Sequence, residues 1–265
     1  KIFKRILQIV GTVLLLAYLT YAWIYNTRDS KVDLASSTTQ TIKVGTEGTY
    51  EPFSYYNKDN KLVGFDVDIA RAIFKELNMK VEFVDAPWDS MLAAFNSGKT
   101  DVVFNQVGIT PERTEKYAMT APYSYSHAAL IVNKNNQNIK SFSDLKGKSA
   151  AQSLTSNYGE EAQKLGARIV NVDSFAKAVD LIDQERVDAT LNDDVVYYRY
   201  LKVKKNANIK LVETQKTSVP SGAMFHKKDK ALAQKVSQAI EKLRKNGELK
   251  KISVKYFGKD ITAHD

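Results

Sequence analysis

The sequence predicts an α/β fold, and three observations support this class. The chain has 265 residues, of which 43% are hydrophobic, enough for one large domain or two small lobes with real cores. From residue 41 onward, strand-like apolar runs alternate with stretches whose apolar residues recur at helical spacing. Two of the apolar runs also end in polar residues, as strands do where a parallel sheet binds a ligand.

A first series of elements is predicted between residues 42 and 104. Residues 42–45 (IKVG) are typical of a strand, and residues 50–53 (YEPF) of a loop. Asp66 is suited to cap the helix that follows it. The series continues with helical core positions at Ile69, Ile73 and Leu77, a strand at 81–84, a helix at 91–95 and a strand at 101–104.

A second series begins near residue 129. It comprises predicted strands at 129–132, 149–152 and 168–172 and helices that begin near 143, 156 and 175. The chain closes with a long amphipathic helix at about 230–244 and a further segment at 249–257.

The two series contain an internal echo. LAAFNSGKTDVVFNQ (residues 92–106) and VDLIDQERVDATLND (residues 179–193) share a helix, a break, an aspartate, an apolar strand and an asparagine in one register. The matched pairs are Asp101 with Asp188, Asn105 with Asn192, and Gln106 with Asp193. The echo indicates either two similar lobes or two instances of a common helix-to-strand joint.

The amino end predicts a membrane segment. Residues 6–25 carry no charge, follow three basic residues and end in aromatic side chains, so a spanning helix that starts on the cytoplasmic side is expected. A cleaved signal is the alternative, although residues 20–22 (TYA) are a poor cleavage site. We therefore expect residues 1–25 to anchor the protein at the outer face of the cell membrane and residues 26–40 to form a polar linker. Cleavage would instead make the protein secreted or periplasmic.

Composition argues against several function classes. The formal net charge is +9, but basic residues are scattered among acids instead of forming a block, so no nucleic-acid partner is expected. The absence of cysteine excludes disulfides, thiolate chemistry and a cysteine-linked lipid in this sequence. With three histidines, a histidine-rich metal site is not expected either. We expect no metal and no cofactor.

Residues 105–113 (NQVGITPER) predict a site for an anion. Thr110 suits the N-cap position of a helix and Pro111 its first position. Arg113 then falls in the first turn, where the helix dipole repels a cation unless an anion is bound. Its planar fork of donors suits a carboxylate, and pairing with a surface acid is the alternative. The preceding strand end contributes polar side chains and accessible backbone to the same place: Asn105, Gln106 and Gly108.

The opposite charge is predicted at the other strand end. Asp193 is suited to hold an ammonium group across a cleft from Arg113, so that the two grip a zwitterion, although Asp is more often a helix cap. Glu47 either receives a distal ammonium group or faces solvent.

The remaining candidates lie in predicted loops. Tyr50 and Trp88 are placed to flank a ligand side chain. Ser156 or Asn157 caps a helix, within a Ser/Thr-rich turn whose hydroxyl and N–H groups can also reach the ligand.

Six motifs then resemble a known family. In order they are VGTEGTYEPF, GFDVDIA, WDSMLAAFNSGKTDVVFNQVGITPERTEKYAMTAPY, DLKGK, RVDATLNDD and LRKNGELKKISVKYFG, covering about residues 40–260. Their order and spacing resemble the extracytoplasmic polar amino-acid binding proteins of ABC importers, the family 3 solute-binding proteins. The resemblance implies a two-lobed periplasmic-binding-protein-like (type II) fold, with hinge-linked lobes that are each an α/β sandwich, plus the N-terminal apolar helix. Lobe 1 would comprise residues 41–126 and 219–265, and lobe 2 residues 127–218.

The resemblance also implies roles for the candidates. Arg113 would hold the α-carboxylate with help from the backbone at Gln106 and Gly108, and Asp193 would hold the α-ammonium group. The other matched positions enclose the ligand side chain at Tyr50 and Trp88, supply a first-lobe acidic contact at Glu47, and form the second-lobe loop at Ser156 and Asn157.

Within the family, GTEGTYEPF, Trp88 and NQVGIT most resemble the cystine-binding branch. Cystine has two zwitterionic ends, which suits the additional polar groups Glu47, Asn105 and Gln106. We expect a monomeric receptor without catalysis that captures a polar L-amino acid, best cystine, and delivers it to an ABC permease. An arogenate-dehydratase-like enzyme on the same scaffold, with Glu47 as general acid, is the alternative.

Overall fold

The computed structural model describes residues 17–18, 20–21 and 40–263. Its contacts divide the chain into two units, Lys1–Thr39 and Gln40–Asp265. In the first unit, the four described residues are helical and exposed. Among the described residues, no helix has the length and hydropathy required to cross a bilayer. The predicted anchor at residues 6–25 lies outside the described residues apart from these four.

The first sheet of the second unit has five strands. They are β1 (Thr41–Thr46), β5 (Lys80–Asp85), β6 (Val102–Val103), β7 (Ala118–Met119) and β15 (Met224–Phe225), in the order β5-β1-β6-β15-β7. The first three strands run parallel, and β15 is antiparallel to both of its neighbours. A small sheet beside it contains β2 (Thr49–Tyr50), β3 (Ser54–Tyr56) and β4 (Leu62–Val63).

The second sheet repeats this arrangement. Its strands are β9 (Ala128–Asn133), β10 (Ser149–Gln152), β11 (Arg168–Asn171), β12 (Ala189–Asp193) and β13 (Ile209–Thr214), in the order β11-β10-β12-β9-β13. Again the first three strands are parallel, and the fourth, β9, is antiparallel to both of its neighbours. Each sheet therefore ends its parallel strands at one edge, where open α/β sheets bind ligands.

Helices cover both sheets. The helices that accompany the first sheet are α1 (Phe65–Glu76), α2 (Trp88–Asn96), α3 (Pro111–Lys116), α7 (Lys230–Lys245) and α8 (Glu248–Phe257). Those of the second sheet are α4 (Asn157–Lys164), α5 (Phe175–Asp183) and α6 (Asp194–Val203). Short 3-10 turns occupy Phe142–Leu145 and Lys227–Asp229.

Two short antiparallel strands connect the sheets. β8 (Ser124–Ser126) leads from the first sheet to the second, and β14 (Val219–Ser221) leads back and pairs with β8. The chain thus crosses between the sheets twice at one place, which gives the fold its two lobes. We call the part built on the first sheet lobe 1 and the part built on the second sheet lobe 2.

The sequence echo corresponds to equivalent positions in the two sheets. Asp101 precedes β6 and its carboxylate accepts the backbone N–H of Lys43 at 2.7 Å. Asp188 precedes β12 and accepts the backbone N–H of Ser149 at the same distance. In each sheet the aspartate therefore joins the start of the third parallel strand to the neighbouring strand.

Three local expectations were wrong. Tyr50 lies in no loop: it is the second residue of strand β2, which pairs with β3. The N-cap of α1 is Gly64, and Asp66 lies inside the first turn with its side chain fully buried. Trp88 lies in no loop: it is the first residue of α2, directly after Pro87, and its side chain packs on Met91 and Phe95 in the core. Pro87 has the extended backbone that ends the preceding loop and lets the helix begin one turn earlier than expected.

Candidate functional site

A cavity lies between the two lobes at the carboxyl edges of the parallel strands. The lobe 1 residues that line it are Glu47, Tyr50, Trp88, Asn105 and Gln106. The lobe 2 residues are Gln152, Ser153, Ser156, Asn157, Tyr158, Ser174, Phe175, Asn192 and Asp193. All the sequence-predicted candidates line this cavity except Gly108 and Arg113, which border it through Asn157 and Trp88.

Asp193 ends β12 and is buried between the lobes. Its Oδ1 accepts hydrogen bonds from the hydroxyl of Tyr158 at 2.7 Å and from the hydroxyl of Ser126. Its Oδ2 accepts the hydroxyl of Tyr50 at 2.6 Å. Burial raises the pKa of Asp193, whereas the three hydroxyl donors lower it. Although it occupies the N-cap position of α6, its side chain makes no capping bond, so the carboxylate serves the cavity.

Tyr50 reaches across the cavity to lobe 2. Besides Asp193, its hydroxyl lies 2.6 Å from Oδ1 of Asn192, which also accepts the backbone N–H of Asp193 at 2.8 Å. Burial and the charge of Asp193 raise the pKa of the Tyr50 hydroxyl well above its usual range. The hydroxyl therefore keeps its proton and shares it between the two acceptors.

Arg113 lies in the first turn of α3, as expected, and its backbone N–H bonds to the capping Thr110 hydroxyl at 3.2 Å. Its guanidinium donates to the Gly108 carbonyl at 3.0 Å and to the Asn157 side chain at 3.5 Å. It also lies 5.2 Å from the ring centre of Trp88, within cation–π range. Because α3 has six residues, the dipole that opposes this charge is small.

Charge compensation is missing on both sides of the site. Within residues 40–263, no carboxylate forms an ion pair with Arg113 and no cation forms one with Asp193. Burial lowers the pKa of the Arg113 guanidinium, and the charges of Glu160 and Glu112, neither of which lies within ion-pair distance, oppose the shift. The two groups come from different lobes and border the same cavity.

Glu47 and Asn105 form a second polar cluster in lobe 1. Asn105 is 2% exposed, and its Nδ2 donates to the Glu47 carboxylate at 2.6 Å while its Oδ1 accepts the Glu47 backbone N–H at 2.8 Å. Burial raises the pKa of Glu47 to about 7, Asn105 opposes the shift, and the charges of Asp89 and Asp173 add to it. Glu47 thus lines the cavity and is half-buried, and a pKa of about 7 leaves its carboxyl close to half-ionised at neutral pH.

The backbone approaches the guanidinium closely at Gly108. A Cβ added at this position would lie 3.6 Å from both Arg113 Nη1 and Asn157 Nδ2 and 3.3 Å from Val219. A side chain here would occupy the space in which lobe 1 and lobe 2 groups meet.

In the lobe 2 loop before α4, one of the two predicted binding residues is used to cap the helix. Ser156 is the N-cap of α4, accepting the Gly159 N–H at 3.0 Å, and its hydroxyl also donates to the Ser153 carbonyl. Asn157 is the first helical residue and contacts Arg113 instead. Of the predicted pair, Asn157 is the residue whose side chain remains directed at the site.

Sequence reasoning missed several lining residues. Asn192 stood in the echo opposite Asn105, so that signal was available. Ser174 and Phe175 follow β11, the outermost parallel strand of their sheet, and the same strand-end argument would have selected them. Tyr158 and Ser126 had no local signal, because their roles arise from contact with Asp193.

Two donors in the cavity wall lack partners among the described residues. They are the indole Nε1 of Trp88 and the side-chain Nε2 of Gln106. Both atoms are buried. In residues 40–263, no group of three or more His, Asp or Glu side chains is arranged to hold a metal ion. The arrangement therefore suits recognition of a small polar molecule by hydrogen bonds and charge.

A comparison with protein families decides the class. Residues 42–259 match the model of the bacterial extracellular solute-binding proteins, family 3. The chain belongs to this family. The two-lobed fold expected from the motifs is confirmed, and so is the expectation of a receptor without catalysis, because the relatives are solute-binding proteins of ABC transporters.

Individual members of the solute-binding family are similar to most of the chain. A probable amino-acid ABC transporter-binding protein of Haemophilus influenzae is 43% identical over 224 residues, 84% of this chain and 87% of that protein. The unliganded open structure of the L-cystine solute receptor of Neisseria gonorrhoeae is 46% identical, covers 86% of this chain and 97% of that one, and has a TM-score of 0.57. The structure of an ancestral arginine-binding protein bound to arginine is 37% identical and has a TM-score of 0.77. The match covers 82% of this chain and 98% of that one. This solute-binding protein is thus the amino-acid-binding component of an ABC transporter.

Proposed function

We propose that this solute-binding protein captures L-cystine between its two lobes and presents it to a membrane permease. The observation that carries the proposal is the pair of uncompensated charges, Arg113 of lobe 1 and Asp193 of lobe 2, at one cavity. An α-amino acid carries the complementary charges on one carbon. Binding it gives both groups a counter-ion and joins the lobes.

The α-carboxylate is assigned to Arg113. The guanidinium uses one nitrogen for the Gly108 carbonyl, so donors remain for a bidentate contact with a carboxylate. The Gly108 carbonyl lies beside it at 3.0 Å. The α-ammonium is assigned to Asp193, whose two oxygens already accept three hydroxyls and therefore present a rigid, buried negative charge.

Cystine is favoured over other amino acids by the second polar cluster. Glu47 and Asn105 provide an anionic acceptor and amide groups in lobe 1, on the same cavity as Asp193. A ligand with a second charged end can use both clusters, and Gln106 Nε2 and Trp88 Nε1 can donate to its oxygens. The similarity to the cystine receptor of Neisseria gonorrhoeae, 46% identical, supports the same ligand.

The lobes are assigned as residues 41–126 with 219–265 and residues 127–218. The paired strands β8 and β14 then act as the hinge of a type II binding protein, and closure over the ligand creates the surface that the permease recognises. We assign residues 1–25 to a membrane anchor on the outer face of the cell and residues 26–40 to its linker, on the basis of their sequence. A single chain completes the site, which supports action as a monomer.

A thermal-shift screen of the full chain against the twenty amino acids and cystine tests the function. A ligand that binds only the folded state raises the melting temperature in proportion to RT ln(1 + [L]/Kd). We expect cystine to give the largest shift. A larger shift with arginine or glutamine would replace the ligand but keep the receptor, and no shift with any amino acid would overturn the proposal.

A further inference from the structure

Asp66 is a buried acid that the proposed binding contacts do not use. It lies in the first turn of α1, is 0% exposed, and no basic side chain of the described residues is among the groups that act on its carboxyl. Burial of a carboxyl group destabilises the folded state unless hydrogen bonds or a cation compensate for the lost water. The position therefore calls for a specific partner.

That partner is the backbone of the loop of residues 106–108, which leads to Arg113. Asp66 Oδ2 accepts the N–H of Gln106 at 2.5 Å, across 40 residues of sequence. Gln106 has φ of 48°, in the left-handed region that residues with a Cβ rarely adopt. Its neighbours Asn105 and Val107 are both buried, so the chain cannot relax outward.

The left-handed turn determines what the loop presents. It directs the Val107 side chain into the core and leaves the Gly108 carbonyl 3.0 Å from the Arg113 guanidinium. The Gln106 side chain accepts the hydroxyl of Ser124, on the connecting strand β8, at 2.7 Å. The loop of residues 106–108 is therefore held from α1 on one side and from the interlobe connection on the other.

We propose that Asp66 is the positioning residue of this loop: by accepting the Gln106 N–H it holds the left-handed turn that places Gly108 and Arg113 for the ligand carboxylate. The inference rests on the proposed carboxylate site. Asp66 touches no ligand and acts through the Gln106 backbone.

The environment favours a neutral acid at this position. Burial raises the pKa of Asp66 well above its usual range, the Gln106 N–H and the Tyr123 hydroxyl oppose this, and Asp193 and Glu47 add to it. Neither Asp66 Oδ1 nor the Tyr123 hydroxyl completes a hydrogen bond within the described residues, although the hydroxyl is near enough to act on the carboxyl. A carboxylic acid supplies one acceptor and one donor, and an asparagine side chain supplies the same pair.

Asp66→Asn and Asp66→Ala separate this role from simple loss of charge. We expect Asp66→Asn to bind the amino acid within about threefold of the parent, since its carbonyl still accepts the Gln106 N–H. Asp66→Ala should weaken binding by about tenfold or more, because the N–H is left unsatisfied in the core. Asp68→Ala, two residues along the same helix, is the control and should bind normally. Calorimetry measures all three.

Comparing two ligands distinguishes a positioning role from a general loss of stability, which would weaken both ligands alike. The loss in Asp66→Ala should appear with the free amino acid and be small with its carboxamide, which cannot use the carboxylate site. Equal losses for both would overturn the positioning role.

A double-mutant cycle tests the route through the backbone. Glycine adopts positive φ without strain, so the cost of Asp66→Ala should shrink in a Gln106→Gly background. An unchanged cost would overturn the inference. If Asp66→Ala does not fold, Asp66→Asn decides: an affinity more than tenfold below the parent, by calorimetry, contradicts it.

Arg113→Ala separates this inference from the proposed function. Normal binding by Arg113→Ala would remove the carboxylate site itself. Loss of binding in Arg113→Ala, with normal binding in Asp66→Ala, would overturn only the positioning role.

Discussion

Within the described part of the chain, Arg113 makes its direct contacts with uncharged groups. A carbonyl, an amide and an aromatic face surround its guanidinium, and burial lowers its pKa. These contacts orient the guanidinium but do not neutralise it. A carboxylate that completes the group gains charge-assisted hydrogen bonds in a site with little water, where they are strong.

Arg113→Ala should therefore remove most of the affinity. We expect a loss of about 3 kcal/mol or more, roughly a hundredfold in Kd, because the ligand carboxylate would be enclosed without its partner. Calorimetry with the best ligand measures it. Lys116→Ala, an exposed cation of the same helix, is the matched control and should bind normally. Near-parental binding by Arg113→Ala would refute the assignment.

Glu47 connects binding to pH. Its pKa of about 7 means that it is largely protonated below pH 7 and ionised above it. A ligand cation beside Glu47 favours the ionised form and must displace the proton at lower pH. Affinity for a ligand with a distal ammonium group should therefore rise as pH increases towards 7, by up to about tenfold per unit, and level off above it.

Titrations from pH 5 to 8 check this dependence. Glu47→Gln should flatten the pH profile, since the amide has no proton to lose. An amino acid without a distal cation should show a weaker dependence in the parent protein. A parent profile as flat as that of Glu47→Gln would show that no ligand cation approaches Glu47.

At the scale of elements, helix α2 of lobe 1 bonds to the loop before α4 of lobe 2. The Asp89 carboxylate accepts the backbone N–H groups of Leu154 and Thr155 at 3.1 and 3.0 Å and the Thr155 hydroxyl at 2.6 Å. A second interlobe contact joins Arg199 to Glu51 at 2.6 Å. Neither contact touches the cavity, so both stabilise closure without recognising the ligand.

Among ligands without a distal ammonium group, which do not depend on the ionisation of Glu47, Asp89→Ala should weaken every ligand by the same factor. The partly exposed bonds contribute about 1 kcal/mol to the closed form, which corresponds to a roughly fivefold higher Kd. The faster dissociation is measurable by stopped-flow. Asp85→Ala, which removes a bond to Tyr56 within lobe 1, is the control. A change in ligand ranking for Asp89→Ala would contradict a purely conformational role.

At the largest scale, the two lobes of residues 40–263 are in contact across the cleft, as in a closed arrangement. Contacts from Tyr50, Asp89, Glu51 and Arg113 all cross the cleft. The overall structure superposes better on the arginine-bound ancestral protein than on the open cystine receptor, although the latter is more similar in sequence.

Sequence patterns predicted the parts of the fold that depend on residues close together in the chain. The cap at Thr110 with Pro111 after it and the cap at Ser156 are each encoded within a few residues. Such signals are readable because capping and strand starts obey local geometry. Trp88 was misplaced because a helix start directly after proline has a weaker signal than the apolar run that follows it.

The sequence by itself determined the parallel strands of both sheets, the family, and the residues that bear opposite charges at two strand ends. Only the tertiary structure decided what those residues contact. Tyr50 meets Asp193 across 143 positions, and Asp66 proved to hold Gln106 instead of capping its helix. These contacts depend on how two lobes and a helix are placed in space, and no local periodicity encodes that placement.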